Sequence, residues 1–216
     1  HFQSDTYLND HRNLKTIEES HSKYRFDRMQ ELVSKTEKLN PAEAVAVLRD
    51  MNGLGDKKIG YGNEKSINQL LAHHGIVFKP KERKVWVSSN PYQMGEFVAY
   101  DLNEVFARFE NGLVAESVAN TENNIPESKF IHTRSFQDYE KFRKLETEKK
   151  NMLSNEVSIS EEKAENLIQL NPDFWEAWYL AGQIYYKNKD YKNAIVHCKQ
   201  AKKREGTTIP DIEMIE

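Results

Sequence analysis

Between His73 and Ser89 the chain reads HHGIVFKPKERKVWVSS, and no other stretch restricts the fold so strongly. Ile76 and Phe78 fall on one face of an extended segment and Val77 on the other, while Val85 and Val87 flank Trp86. Pro80 fits the second position of a turn, and the charged residues from Lys79 to Lys84 keep that turn in water. Strands with large apolar groups on both faces suit a layered fold, covered on both sides, better than a sheet with one face in water. GEFVAYDL, from Gly95 to Leu102, reads as a third strand. Three strands alone make a thin sheet, so partner strands from sequence outside this chain are expected.

Composition narrows the classes. A chain of 216 residues makes one large domain or two small ones. With 38% hydrophobic and 30% charged residues it is well solvated yet able to bury a core. A formal charge of -3 gives no electrostatic case for nucleic acid or for anionic lipid. The single cysteine, Cys198, cannot close an intrachain disulfide and leaves the compartment open. No apolar run reaches membrane-spanning length. The chain opens on His1 and Phe2 without a leader-like segment, which reads as a processed product or an excerpt.

Along the chain, residues 1–20 are polar with scattered apolar positions and read as irregular. In SKYRFDRMQELVSKTEKL, Phe26, Met29, Leu32 and Val33 recur at helical spacing. NPAEAVAVLRDM starts a second helix, with Asn40 as N-cap, Pro41 in the first position and Glu43 where a capping box needs it. Four of the nine glycines lie between Gly53 and Gly62, without the spacing of a phosphate loop, and read as a flexible surface loop. Beyond Phe106 a polar linker or extended arm is expected. SFQDYEKFRKLETEKKNML then forms an amphipathic helix, and SEEKAENLIQLNP another with Ser160 as its cap.

The stretch WEAWYLAGQIYYKNKDYKNAIVHCKQAKKRE resembles a tetratricopeptide repeat (TPR). Trp178, Gly182 and Tyr185 hold the W-x2-L-G-x2-Y positions, with Ala181 in place of Leu; Ala194 and Ala201 hold small positions of the second helix, and Cys198 replaces an aromatic. Small residues there let two antiparallel helices approach closely. LIQLNP resembles the end of a preceding, degenerate repeat. Such repeats need about three units for independent stability. One good unit and one partial one therefore favour a helical appendage packed on its neighbour over a peptide-binding groove, although a protein partner through this tail stays open.

Residues 1–106, and in part on to 150, resemble the C-terminal part of the acyl-CoA:6-aminopenicillanic-acid acyltransferase-like family of N-terminal nucleophile (Ntn) hydrolases, and of the related choloylglycine hydrolases. The resemblance rests on the order and spacing of HF, SKYRFDRMQELV, AVAVLRDMNG, SINQLLAHHGIVFKPKERKVWVSS and GEFVAYDL. It implies α+β architecture, part of a four-layer αββα sandwich, and cleavage or transfer of linear amide bonds by an N-terminal Cys exposed by self-cleavage. Its α-amine serves as the base, and an Asn side chain and backbone N–H groups hold the oxyanion. Position 1 is His, so nucleophile and main oxyanion donor are expected upstream, and this chain alone is expected to be catalytically incomplete. The expected layout is 1–115 for the Ntn-like portion, 116–154 for a linker and connecting helix, and 155–216 for the TPR-like segment.

By the same resemblance an Arg on the SKYRFDR helix reaches toward the active site. Arg25 fits best in a supporting catalytic role and Arg28 in substrate binding; the plain alternative is a helix Arg paired with Asp27 or Glu31. His1 is expected to line the pocket, or else to be a terminus with no role. Adjacent His73 and His74 face opposite ways and cannot jointly hold one ion, so one packed and one partly exposed are expected. No cofactor or metal is called for, since no cluster has zinc-like spacing. The implied substrate is a small-molecule amide or acyl compound, and some relatives suggest a bacterial cell-envelope or secreted setting. The competing reading is a non-catalytic interaction module acting through the TPR-like tail.

Overall fold

Side-chain caps set where helices begin at Asp10, Asn40 and Asp190, whereas Ser160 heads its helix without the cap hydrogen bond expected of it. The structure, a computed structural model, describes residues 10–35, 37–110, 117–154 and 160–215. Helix α1 (His11–Glu19) starts at Asp10, whose carboxylate accepts a hydrogen bond from the backbone N–H of Arg12. Residues 11–19 are thus helical rather than irregular. Helix α2 (Ser22–Val33) follows. Helix α3 (Pro41–Leu48) opens on a complete capping box: Asn40 Oδ1 accepts from Glu43 N at 2.9 Å, and Glu43 Oε2 accepts from Asn40 N at 2.7 Å.

Strands β1 (Ile76–Lys79), β2 (Lys84–Ser88) and β3 (Phe97–Asp101) form one antiparallel sheet in the order β1-β2-β3. Val77, Trp86 and Ala99 lie in one row across it, and Phe78, Val85 and Tyr100 in the next, on the opposite face. The β1–β2 connection is a single 3-10 turn at Pro80–Glu82, closed by Arg83 in the left-handed region. Helix α4 (Leu102–Glu110) runs straight out of β3. The expectation of a linker beyond Phe106 is therefore corrected for residues 107–110, which are helical: Leu102, Val105, Phe106 and Phe109 make an apolar stripe at helical spacing. The arm that follows returns to the sheet, where Ile125 exchanges two backbone hydrogen bonds with Phe97, and Asn124 Oδ1 accepts from Ala99 N.

The rest is helical: α5 (Arg134–Ser154), α6 (Glu161–Leu170), α7 (Trp175–Lys187), α8 (Tyr191–Lys202) and the short α9 (Ile209–Ile215). The chain is thus a mixed α/β protein with a small antiparallel sheet. Among the described residues no helix is long and apolar enough to cross a membrane.

Two cores hold it together. The smaller one lies between α3 and the sheet: Val45 and Leu48 meet Val77, Trp86, Phe97 and Ala99. The larger one joins Tyr139, Phe142, Leu167, Phe174 and Ile184 of the helices to Leu70 and Met94 of the sheet-bearing half. Within it α7 and α8 close tightly, because a Cβ at Gly182 would stand 2.7 Å from Cys198 Sγ.

Residues 59–63 of the glycine-rich stretch form a packed belt between the two halves, whereas residues 54–58 are exposed, so the expectation of a surface loop holds for 54–58 and is corrected beyond them. Gly60 has φ +85°, and a Cβ there would lie 2.4 Å from both the Cα and the Cβ of Phe174. Beside it the Asn171 side chain accepts from Tyr61 N at 3.1 Å and donates to Tyr61 O at 2.8 Å. Buried Asn63 donates to the carbonyls of Ile59 and Glu205, and the Glu205 carboxylate meets Lys57 and Lys65, each at 2.8 Å. Glycine is therefore required twice at position 60, for its dihedral angle and for the Phe174 backbone that packs against it just ahead of α7. Gly60→Ala is expected to cost about 2–4 kcal/mol in urea unfolding, from left-handed strain and overpacking together. A loss under about 1 kcal/mol would mean that the belt yields at little cost.

Candidate functional site

Arg28 projects from the middle of α2 into the belt and is fully buried. Its guanidinium grips Asp50 through two bonds of 2.9 Å, from Nε and Nη2. Nη2 also reaches Asp56 at 2.6 Å, and Nη1 reaches Glu31 at 2.9 Å. Four of its five N–H donors are thus committed to three carboxylates. The Glu31 carboxylate accepts in turn from the backbone N–H of Gly55. The Asp50 hydrogen bond raises the Arg28 pKa further, so the guanidinium stays charged; Arg28 in turn holds Glu31 and Asp56 below the usual carboxylate range. The geometry is that of a clamp fastening α2 to residues 50–56. A substrate carboxylate would have to displace one of the chain's own, so the arrangement speaks for fold support rather than substrate binding.

Arg25 lies one turn earlier and is half-buried. Its Nη1 donates to the carbonyl of Glu64 at 2.7 Å, and burial pulls its pKa down. Neither Arg pairs with Asp27, which takes Lys23 instead. Arg25 and Arg28 therefore diverge, toward opposite ends of the glycine-rich belt, and the structure does not bring them together. His1 lies outside the described residues. His73 and His74 are both exposed, ahead of β1 rather than within it, so neither is packed as expected.

A further cation escaped notice in the sequence. Arg49, just past α3, donates to the carbonyls of Gln93, Gly95 and Pro126 at 2.8–3.1 Å and lies over the Phe97 ring. It pins the returning arm and the 93–95 turn to the sheet. A lone Arg after a helix gives no sequence signal for that role, since all its partners are backbone carbonyls.

The most unusual surface is the sheet itself. Trp86, Ser88, Phe97 and Ala99 are buried on one face, with Val77 partly covered beside them. The opposite face carries Ile76, Phe78, Val85, Val87, Val98 and Tyr100. None of these six is buried, and Ile76 and Phe78 are 49% and 64% exposed. The expectation of cover on both faces is therefore met on one face only. Among the described residues no backbone hydrogen bond reaches the outer edge of β1. Helix α4, leaving the same sheet, adds Phe106 and Phe109, both more than half exposed. Contiguous apolar surface of this kind marks an interaction face rather than ordinary scatter.

Comparison with protein-family models, with curated proteins and with solved structures gives no match.

Proposed function

We propose that this chain is the C-terminal portion of a linear-amide C–N hydrolase or acyltransferase of the Ntn type, with its nucleophilic Cys upstream. The open apolar face of the sheet carries the reading. In an αββα sandwich two sheets stack about 10 Å apart through apolar inner faces. A sheet with helix α3 on one face and six apolar residues on the other, two of them exposed and four only partly covered, has the form of half such a sandwich. The unpaired edge of β1 offers further strands a place to join.

In this reading the Cys α-amine takes the thiol proton, the thiolate attacks the amide carbonyl, and an Asn side chain with backbone N–H groups stabilises the oxyanion; its collapse breaks the C–N bond, and the α-ammonium returns the proton to the departing amine, leaving the acyl-enzyme. The substrate is a small-molecule amide, and hydrolysis and acyl transfer differ only in whether water or an amine resolves the acyl-enzyme. Arg25 keeps its place as a supporting residue. Arg28 is a positioning residue that holds α2 against residues 50–56. The TPR-like helices α6–α8 are an appendage fastened to the sheet-bearing half by their shared core, which favours packing over peptide capture.

The test uses the intact protein with that Cys replaced by alanine. Self-cleavage is expected to stop. Turnover across a panel of penicillin-type amides, bile-salt conjugates and acylated amino acids is expected to fall by on the order of 10³-fold or more. Activity that survives the replacement would remove the mechanism.

A further inference from the structure

Along α5, Tyr139, Arg143, Glu146 and Lys150 recur every three to four residues and so share one face. That face borders a cleft of about 470 Å³, closed on other sides by Tyr61, by the start of α7 and by Asp211. The cleft shares no residue with the sheet, and what it binds does not depend on the amide-hydrolase reading.

Its charge is unbalanced. Lys150 Nζ stands 3.0 Å from Glu146 Oε1 and 2.7 Å from Glu176 Oε1, so two carboxylates share one ammonium. Arg143 does not supply the missing charge, since it is held by the Tyr92 hydroxyl and sits 3.7 Å from Glu140. The remaining ionisable lining adds carboxylates, Glu64 and Asp211. A half-buried carboxylate without its own counter-ion keeps a proton instead. Burial, then hydrogen bonding and repulsion from Glu146, push Glu176 up to about 7 against the pull of Lys150.

The walls are aromatic. Tyr61 and Tyr139 meet edge to face at 6.2 Å, and Trp175 lies beside Glu176. The indole N–H of Trp175 is buried without a hydrogen-bond partner. Ring faces and an unneutralised carboxylate together attract an organic cation more than a hydrated metal ion.

We propose that this cleft binds a small organic ammonium compound, its cationic head against Glu146, Glu176 and the flanking rings. The ligand cation takes the place of the proton on Glu176, so affinity rises with pH. Glu146 and Lys150 of α5 act on Glu176 directly, Tyr179 of α7 feels its charge, and the other titratable groups that line the cleft are Tyr139 and Arg143 of α5, Tyr61, Glu64 and Asp211.

The test titrates the full chain with choline, whose charge is independent of pH, and with its neutral analogue 3,3-dimethyl-1-butanol, by calorimetry and by tryptophan fluorescence. Choline is expected to bind at about pH 8 and about tenfold more weakly at about pH 6, as Glu176 protonates. The neutral analogue is not expected to bind. Glu176→Gln is expected to weaken choline about tenfold at the higher pH and to remove the pH dependence, and Glu146→Gln gives a second reading if the first variant fails to fold. Equal binding of the neutral analogue, no binding of choline at either pH, or unchanged affinity in a folded variant would each overturn the proposal.

Discussion

Arg28→Ala is expected to destabilise the fold by about 3–5 kcal/mol, the range for removing one partner of a buried ion pair. The cost comes chiefly from what is left behind. Asp50 is nearly buried and loses both of its guanidinium bonds. The more exposed Asp56 and Glu31 recover water and contribute less. Arg28→Lys is expected to restore only part of the loss, because an ammonium cannot reproduce the two-pronged grip on Asp50.

The pH dependence carries its own sign. Glu31 and Asp56 have depressed pKa values in the fold, with Arg28 as the first cause of each. Their contribution is present above the unfolded carboxylate range and is lost as pH falls through the folded values. Wild-type stability is therefore expected to drop on acidification below about pH 4.5, and this component of the slope is expected to vanish in Arg28→Ala. Urea unfolding at about pH 7 and about pH 4 measures both effects. A loss below about 1 kcal/mol at neutral pH would show that the clamp is not what fastens α2 to the belt.

How much of this was legible in the sequence depends on how local the physics is. The capping box at Asn40 and Glu43 is a four-residue signal, and the helix starts where it says. The alternation through Ile76–Phe78 and Val85–Val87 gave the hairpin, and the small residues Gly182 and Ala194 gave the close pair α7 and α8. The glycine-rich belt was misread because Gly60 is chosen for a contact more than a hundred residues away, with Phe174. Helix α4 is hard to see in a linear reading because Asn103, Glu104 and Arg108 interrupt its apolar stripe.

The candidate site was less legible than the fold. Resemblance put Arg25 first for a supporting catalytic role and Arg28 in substrate binding, yet one donates to a loop carbonyl and the other is enclosed by three carboxylates. Only tertiary structure separates them, because Asp50 and Asp56 come from a different segment. The same holds for Glu176, whose partners Glu146 and Lys150 lie on another helix.

The central claim is that the open face of the sheet is an internal surface of a larger layered body. Phe78 stands near its middle row and is 64% exposed in this chain. The most direct measurement is the stability change of Phe78→Asp, made once in this chain alone and once in the intact protein. Here the substitution is expected to shift stability by no more than about 0.5 kcal/mol, as at other solvent-facing positions. In the intact protein it is expected to cost more than about 4 kcal/mol, from lost aromatic burial and a carboxylate trapped between two sheets. A change in the intact protein as small as that in the isolated chain would contradict the account, since Phe78 would then face water in both.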